Sequence, residues 1–169
     1  MKHPILKGRY DLFSILGATA PKKLFLLDAY ALIYRAYFAF AKNPRVNSKG
    51  ENTSAAFGFT NVLIDILNKE KPTHIAVVFD PPGGATNRNV DFADYKAHRE
   101  EMPEDIRNMI EPIKRIIEAF RIPMYVVDGY EADDLIGTLA KMAEKEGFIT
   151  YMMTPDKDFG QLVSENIFI

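Results

Sequence analysis

The 169-residue sequence predicts an α/β fold, a mostly parallel central sheet with helices on both faces. Short apolar runs alternate with longer segments whose apolar residues recur at helical spacing, the pattern of successive β-α units. Each of the first four runs is followed by acidic residues, which places a carboxylate-rich edge at one end of the sheet. Hydrophobic residues make up 47% and charged residues 26%, enough to bury a core in one domain of this length.

Met1–Pro21 is expected to be a poorly ordered extension: Lys7, Arg9 and Asp11 interrupt its apolar residues, so it has no signal-peptide core. The domain proper is expected over 22–169. Its first strand is Leu24–Leu27, and a helix follows over Tyr30–Phe40. A turn at Ser48–Gly50 leads to a helix over Thr53–Lys69, with Thr53 or Ser54 as its cap. Ile75–Phe79 reads as the second strand, Pro103–Phe120 as a helix and Met124–Val127 as the third strand. In Glu131–Glu146 the residues Leu135, Ile136, Leu139, Met142 and Ala143 share one helical face. Tyr151–Met153 and Ile167–Ile169 complete the sheet.

Asp28 follows the first strand and Asp80 the second, while Glu131, Asp133 and Asp134 follow the third and Asp156 and Asp158 the fourth. Loops at the carboxyl ends of parallel strands share one edge, where ligands bind. An Asp between strand and helix commonly caps the helix, and acids in a first turn suit its dipole. Capping needs one acid per helix, however, and seven stand here. Two carboxylates about 4 Å apart repel by roughly 4 kcal/mol at an effective dielectric of 20, so such a cluster raises its own pKa values or holds cations. Oxygen donors alone select a hard ion, Mg²⁺ or Mn²⁺ in its place. A carboxylate-bound pair of divalent ions generally serves phosphoryl transfer.

Composition removes several alternatives. Without cysteine there is no disulfide scaffold, thiol nucleophile or thiolate zinc site, and three separated histidines do not suggest a histidine metal centre. No apolar run is long enough for a membrane span, and lack of cysteine with lack of an export signal leads us to expect a cytoplasmic protein. No phosphate-binding Walker motif or G-x-G-x-x-G occurs. Taken globally, the formal charge of −2 argues against nucleic acid, which basic proteins usually bind. Yet with seven of the 23 acids assigned to metal, the remainder of the molecule carries an excess of its 21 Lys and Arg.

The segments LFLLDAYALIYRAYFAF, SKGENTSAAFGF, AVVFDPPGG, DYKAHREEMPEDIR, GYEADDLIGTLA and TPDKDFGQLVS occur in the order and spacing of the 5′-nuclease family. From about Lys22 to Ile169 the chain resembles the N-terminal 5′→3′ exonuclease (flap endonuclease) domains of bacterial DNA polymerases of the polymerase I type. The resemblance implies a PIN-like three-layer α/β/α fold with a helical arch. It implies two divalent metals and hydrolysis of DNA phosphodiesters at 5′ flaps and nicks during replication and repair, beside the nucleoid, with a polymerase domain downstream. By resemblance, Asp28, Asp80, Glu131 and Asp133 hold or orient the first metal, and Asp134, Asp156 and Asp158 bridge to it or build the second site. Pro81–Glu104 corresponds to the arch through which a 5′ strand passes. In it Arg88 and Arg99 steer phosphates, Lys96 stands beside the scissile phosphate with Arg99 in a catalytic role, and Tyr95 stacks on a base. Arg35 matches a DNA-binding position in the first helix, and Ser48–Phe59 a position near the duplex–flap junction. Gln161 is expected to orient the DKD segment, and Asp128 to be a loop residue.

The match departs in two places. Asn87 and Asn89 flank Arg88 where relatives carry Phe and His. Relatives also continue past DKD to a G-D-x-x-D-N pattern with two more second-metal ligands and a helical element that grips duplex DNA. The chain is therefore expected to lack that C-terminal region, and a catalytically incomplete DNA- or metal-binding fragment is one alternative. Another is an RNA-cleaving PIN-type nuclease, which shares the acidic edge but not DYKAHR. A haloacid-dehalogenase-type phosphatase would need a second Asp where Ala29-Tyr30 follows Asp28.

Overall fold

The computed structural model describes residues 21–82 and 101–169. The extension over 1–20 and the arch residues Arg88, Tyr95, Lys96 and Arg99 lie outside the described residues, as do Asn87 and Asn89. Five parallel strands form one sheet in the order β3-β2-β1-β4-β5. These are β1 (Lys23–Asp28), β2 (His74–Val78), β3 (Met124–Tyr125), β4 (Ile149–Met153) and β5 (Ile167–Phe168). Among the described residues four α-helices lie between them, α1 (Ala29–Ala39), α2 (Ser54–Asp65), α3 (Glu104–Ala119) and α4 (Ala132–Lys145), and a π-helical turn, Ile66–Glu70, follows α2.

Alternation along the strands divides two cores. Phe25, Leu27 and Val77 point to one face, where they pack with Leu32 and Ile33 of α1, Phe59 and Leu63 of α2, and Ile106, Ile113 and Ile117 of α3. Leu26, Ala76, Val78 and Met152 point to the other, against Ile136 and Ala140 of α4. A sheet covered on both faces needs strands with a continuous apolar run, and the central strand β1 has one over its four inner residues, Leu24 to Leu27. The layers are α/β/α, as the sequence predicts.

Helices α1 and α2 meet at close range. A Cβ on Gly58 would lie 2.7 Å from the Cβ of Ala36, so this contact requires glycine. In α3, Pro112 removes one amide from the ladder, yet the helix continues because Ile106, Met109, Ile110, Ile113 and Ile117 all face the core.

Three details differ from the sequence reading. The third strand ends at Tyr125 rather than Val127. As an edge strand it pairs only with β2, and Val126 and Val127 leave the sheet exposed. Neither Thr53 nor Ser54 caps α2 with its side chain. The Thr53 hydroxyl donates to the Arg45 carbonyl (2.9 Å), the Ser54 hydroxyl accepts from the Arg45 amide (2.9 Å), and Asn52 Oδ1 takes the Ser54 amide (3.1 Å). Their hydroxyls therefore close the preceding loop instead. Lastly, the DKD segment forms a 3₁₀-helix, Lys157–Leu162, that the sequence reading does not include.

Candidate metal centre

Strand order makes β1 the turning point of the sheet. The chain runs outward from β1 through β2 to β3, then returns to place β4 on the other side of β1. A crevice opens at the carboxyl ends of β1 and β4, the standard place for a ligand in such a sheet. Asp28 stands at the end of β1. Its Oδ1 accepts the Ala31 amide (3.1 Å) and caps α1, while its Oδ2 accepts the hydroxyl of Thr154 (3.1 Å) across the crevice.

The other predicted acids stand along the same edge. Asp80, just beyond β2, accepts the Ala132 amide through Oδ1 (2.7 Å) and so ties β2 to the start of α4. Glu131 is the N-cap of α4 and is buried, 5% exposed. It forms a capping box with Asp134, whose Oδ2 accepts the Glu131 amide (3.2 Å). Asp133 Oδ1 accepts the Asp134 amide (2.7 Å). Beyond β4, Asp156 Oδ1 accepts the Asp158 amide (2.9 Å) and caps the 3₁₀-helix, and both carboxylates are exposed. It is this bond that shapes the DKD segment. Gln161, expected to orient it, is exposed and makes no hydrogen bond to either carboxylate among the described residues. Asp128 is an exposed loop residue. Arg35 is exposed on α1.

Electrostatics show that the edge is crowded with like charge. Burial lifts the Asp28 carboxyl above its ordinary range, the Ala31 amide and Thr154 hydroxyl oppose the rise, and the charges of Asp80 and Asp133 reinforce it. The repulsion expected from the sequence is thus felt at the centre of the sheet. The capping bonds also hold the carboxylates apart. Among the described residues no three of them gather tightly enough to form a ready-made ion site. In chemistry the set fits a hard divalent cation, since every donor is a carboxylate oxygen.

Residues 23–169 match the family described as 5′-3′ exonuclease, N-terminal resolvase-like domain. The chain belongs to this family. It is 44% identical over 144 residues to DNA polymerase I of Chloroflexus aurantiacus, covering 85% of this chain and 15% of the relative. It is 40% identical over 148 residues to a 5′-3′ exonuclease of Aquifex aeolicus, covering 88% of this chain and 50% of the relative. The chain therefore spans at most about half the length of these relatives. A bacteriophage T5 flap endonuclease, solved as a pseudo-enzyme–product complex with DNA and metal ions, shares the fold at TM-score 0.59 and 17% identity, over 86% of this chain and 53% of the other.

Thr154 is included in the sequence reading within the segment TPDKDFGQLVS but is given no role of its own there. It is buried, donates to Asp28 Oδ2 and accepts the Asp156 amide (3.3 Å), so one hydroxyl couples the end of β1 to the DKD segment. A hydroxyl two residues before an acid at a strand end is the signal that could have found it. Partners that orient metal-binding carboxylates commonly carry 10–100-fold in metal affinity or activity. Thr154→Val is expected to weaken Mn²⁺ binding, read by titration calorimetry, by about that factor. Thr154→Ser, which keeps the hydroxyl, is expected to stay within about twofold.

Proposed function

We propose that this domain is a divalent-metal-dependent 5′→3′ exonuclease and 5′-flap endonuclease of the DNA polymerase I type. The observation that carries the reading is the row of carboxylates along the carboxyl edge of a parallel sheet, from Asp28 after β1 to Asp158 after β4, in a chain of the 5′-3′ exonuclease family. Asp28, Asp80, Glu131 and Asp133 would hold one Mg²⁺, and Asp134, Asp156 and Asp158 would contribute to a second; Mn²⁺ may serve in place of either. Bound ions of this kind stabilise the charge that develops on the attacking and leaving oxygens of a phosphodiester.

The chain's own residues do the rest. Thr154 and the Ala31 amide fix both oxygens of Asp28, and the Ala132 amide aims Asp80 toward the start of α4. Arg88, Lys96 and Arg99 would draw the scissile phosphate and its neighbours to this edge, and Tyr95 would stack an unpaired base. Arg35 would add a phosphate contact from α1. The substrate is DNA with a 5′ single-stranded flap or a nick, and the relatives named DNA polymerase I support a polymerase domain as the partner in a longer polypeptide. Residues 22–169 would form the nuclease unit and 1–21 an extension to it. Chromosomal DNA as substrate supports a cytoplasmic, nucleoid-associated location. No described helix is long and apolar enough to cross a membrane.

One observation favours a second reading, a domain that binds metal and DNA without cutting: no three described carboxylates share one ready-made site. A flap assay with Mg²⁺, Mn²⁺ or EDTA, run beside Mn²⁺ calorimetry, separates the two. Cleavage of 5′-flap DNA that stops in EDTA supports the nuclease. Mn²⁺ binding without cleavage supports the second reading, and preferential cleavage of the matching RNA would reassign the substrate.

A further inference from the structure

A groove of about 600 Å³ runs between α4 and the 3₁₀-helix of the DKD segment. Asp133, Asp134, Asp156 and Asp158 line one end, and Lys141 and Lys145 the other. Gly137 lies in the groove wall, where a Cβ would come to 3.0 Å from Leu162 Cδ1, the tip of a flexible side chain. Asp134, Thr138, Lys141 and Lys145 follow one another at helical spacing along a single stripe of α4 and all face the groove. At about 1.5 Å per residue, Lys141 stands roughly 10 Å and Lys145 roughly 16 Å along the axis from Asp134. A DNA strand rises about 3.4 Å per nucleotide, so that distance spans about three to five nucleotides.

We propose that this groove carries the sugar–phosphate backbone of duplex DNA away from the acidic end, with phosphates against Lys141 and Lys145; the inference rests on the nuclease reading above. Duplex rather than single-stranded DNA fits the lining. Proteins that grip single strands present aromatic faces to unstacked bases, whereas the groove's one aromatic, Phe159, is buried. Away from the four carboxylates, Met142 and Leu162 give the groove apolar surface, and the ammonium groups of Lys141 and Lys145 with the hydroxyl of Thr138 give it groups that contact phosphates without reading sequence.

Each lysine also has a simpler role, and neither role consumes it. Lys145 lies in the last turn of α4, where a cation suits the helix dipole. Lys141 pairs with Glu144 at 3.2 Å, but both side chains are partly exposed, and such pairs contribute little. Glu144 is held independently by the Ser164 hydroxyl, so Lys141 can turn to a phosphate without stranding its partner. Neither role accounts for two lysines on the stripe that begins at the acidic end.

The test is equilibrium binding of a fluorescent 5′-flap duplex by anisotropy across salt concentrations, with Ca²⁺ in place of Mg²⁺, followed by cleavage kinetics in Mg²⁺. Each phosphate contact contributes about −0.9 to the slope of log K against log salt. Lys141→Ala with Lys145→Ala is expected to make the slope shallower by about 1.8, to raise KM by about tenfold or more and to leave kcat within about twofold. The double Lys→Arg variant, which keeps both charges, is expected to retain the wild-type slope. An unchanged slope in the alanine variant overturns the proposal, even if cleavage is normal and the nuclease reading stands. An equal loss on single-stranded DNA also overturns it and assigns the groove to the flap. A shallower duplex slope in a chain that never cleaves would uphold the groove as a DNA site while overturning the nuclease reading.

Discussion

Asp133→Asn is expected to abolish metal-dependent cleavage of 5′-flap DNA, by about 10³-fold or more, with the fold unchanged. Two interactions of Asp133 bear on the edge. Its Oδ1 accepts the Asp134 amide, and its charge presses on Asp28. The amide oxygen of Asn can keep the first interaction and cannot supply the second. The variant therefore removes a charge and a hard donor while preserving the local hydrogen bond, which isolates the contribution of charge. A 10³-fold loss corresponds to about 4 kcal/mol of transition-state stabilisation, within the several kcal/mol that a metal ion supplies. The check is single-turnover cleavage in Mg²⁺ and in Mn²⁺, with circular dichroism and thermal unfolding alongside. Wild-type rates from a folded variant would remove Asp133 from the metal centre.

The largest effect on stability is expected from Phe59→Ala. Phe59 is 1% exposed and joins the core between α1, α2, α3 and the sheet. Its neighbour Gly58 holds α2 close against Ala36, so the helices cannot readily close over the lost volume. Burying a phenyl ring and leaving a cavity on its removal together account for about 3–5 kcal/mol. That is a large share of the roughly 5–15 kcal/mol that keeps a domain folded. Urea unfolding followed by circular dichroism is expected to show a lower midpoint at an unchanged slope, the shift multiplied by that slope giving this loss. A loss below about 1 kcal/mol would mean that this core relaxes around the gap.

The fold is legible in the sequence wherever periodicity is strong. Helix α3 carries apolar residues at Ile106, Met109, Ile110, Ile113 and Ile117, a pattern that survives Pro112, and it begins and ends within a residue of the predicted span. Edges are less legible. Val126 and Val127 have the composition of a strand, but pairing stops at Tyr125, because nothing in a strand's own sequence states how far its neighbour extends. Caps are less legible still. Thr53 and Ser54 are good capping residue types whose hydroxyls the Arg45 backbone takes, a competition that depends on a loop closing from eight residues away.

The acidic edge divides in the same way. Its residues could be named from the strand-then-acid pattern, but their arrangement could not. Asp28 and Thr154 lie 126 positions apart and meet because β4 inserts beside β1. Lys141 and Lys145 look like ordinary exposed helix residues until the DKD segment packs beside α4 and makes one side of that helix a groove wall.

By itself the sequence determined the α/β class, the order of the elements and the identity of the carboxylates, because these follow from local periodicity and from residue chemistry. Only the tertiary structure decided which acids feel one another's charge, which hydroxyl holds Asp28 and where two lysines stand relative to the acidic end. The physical reason is that electrostatic and hydrogen-bonded partners are chosen by distance in space, and strand order, which sets those distances, is a property of the packed sheet rather than of any stretch of chain.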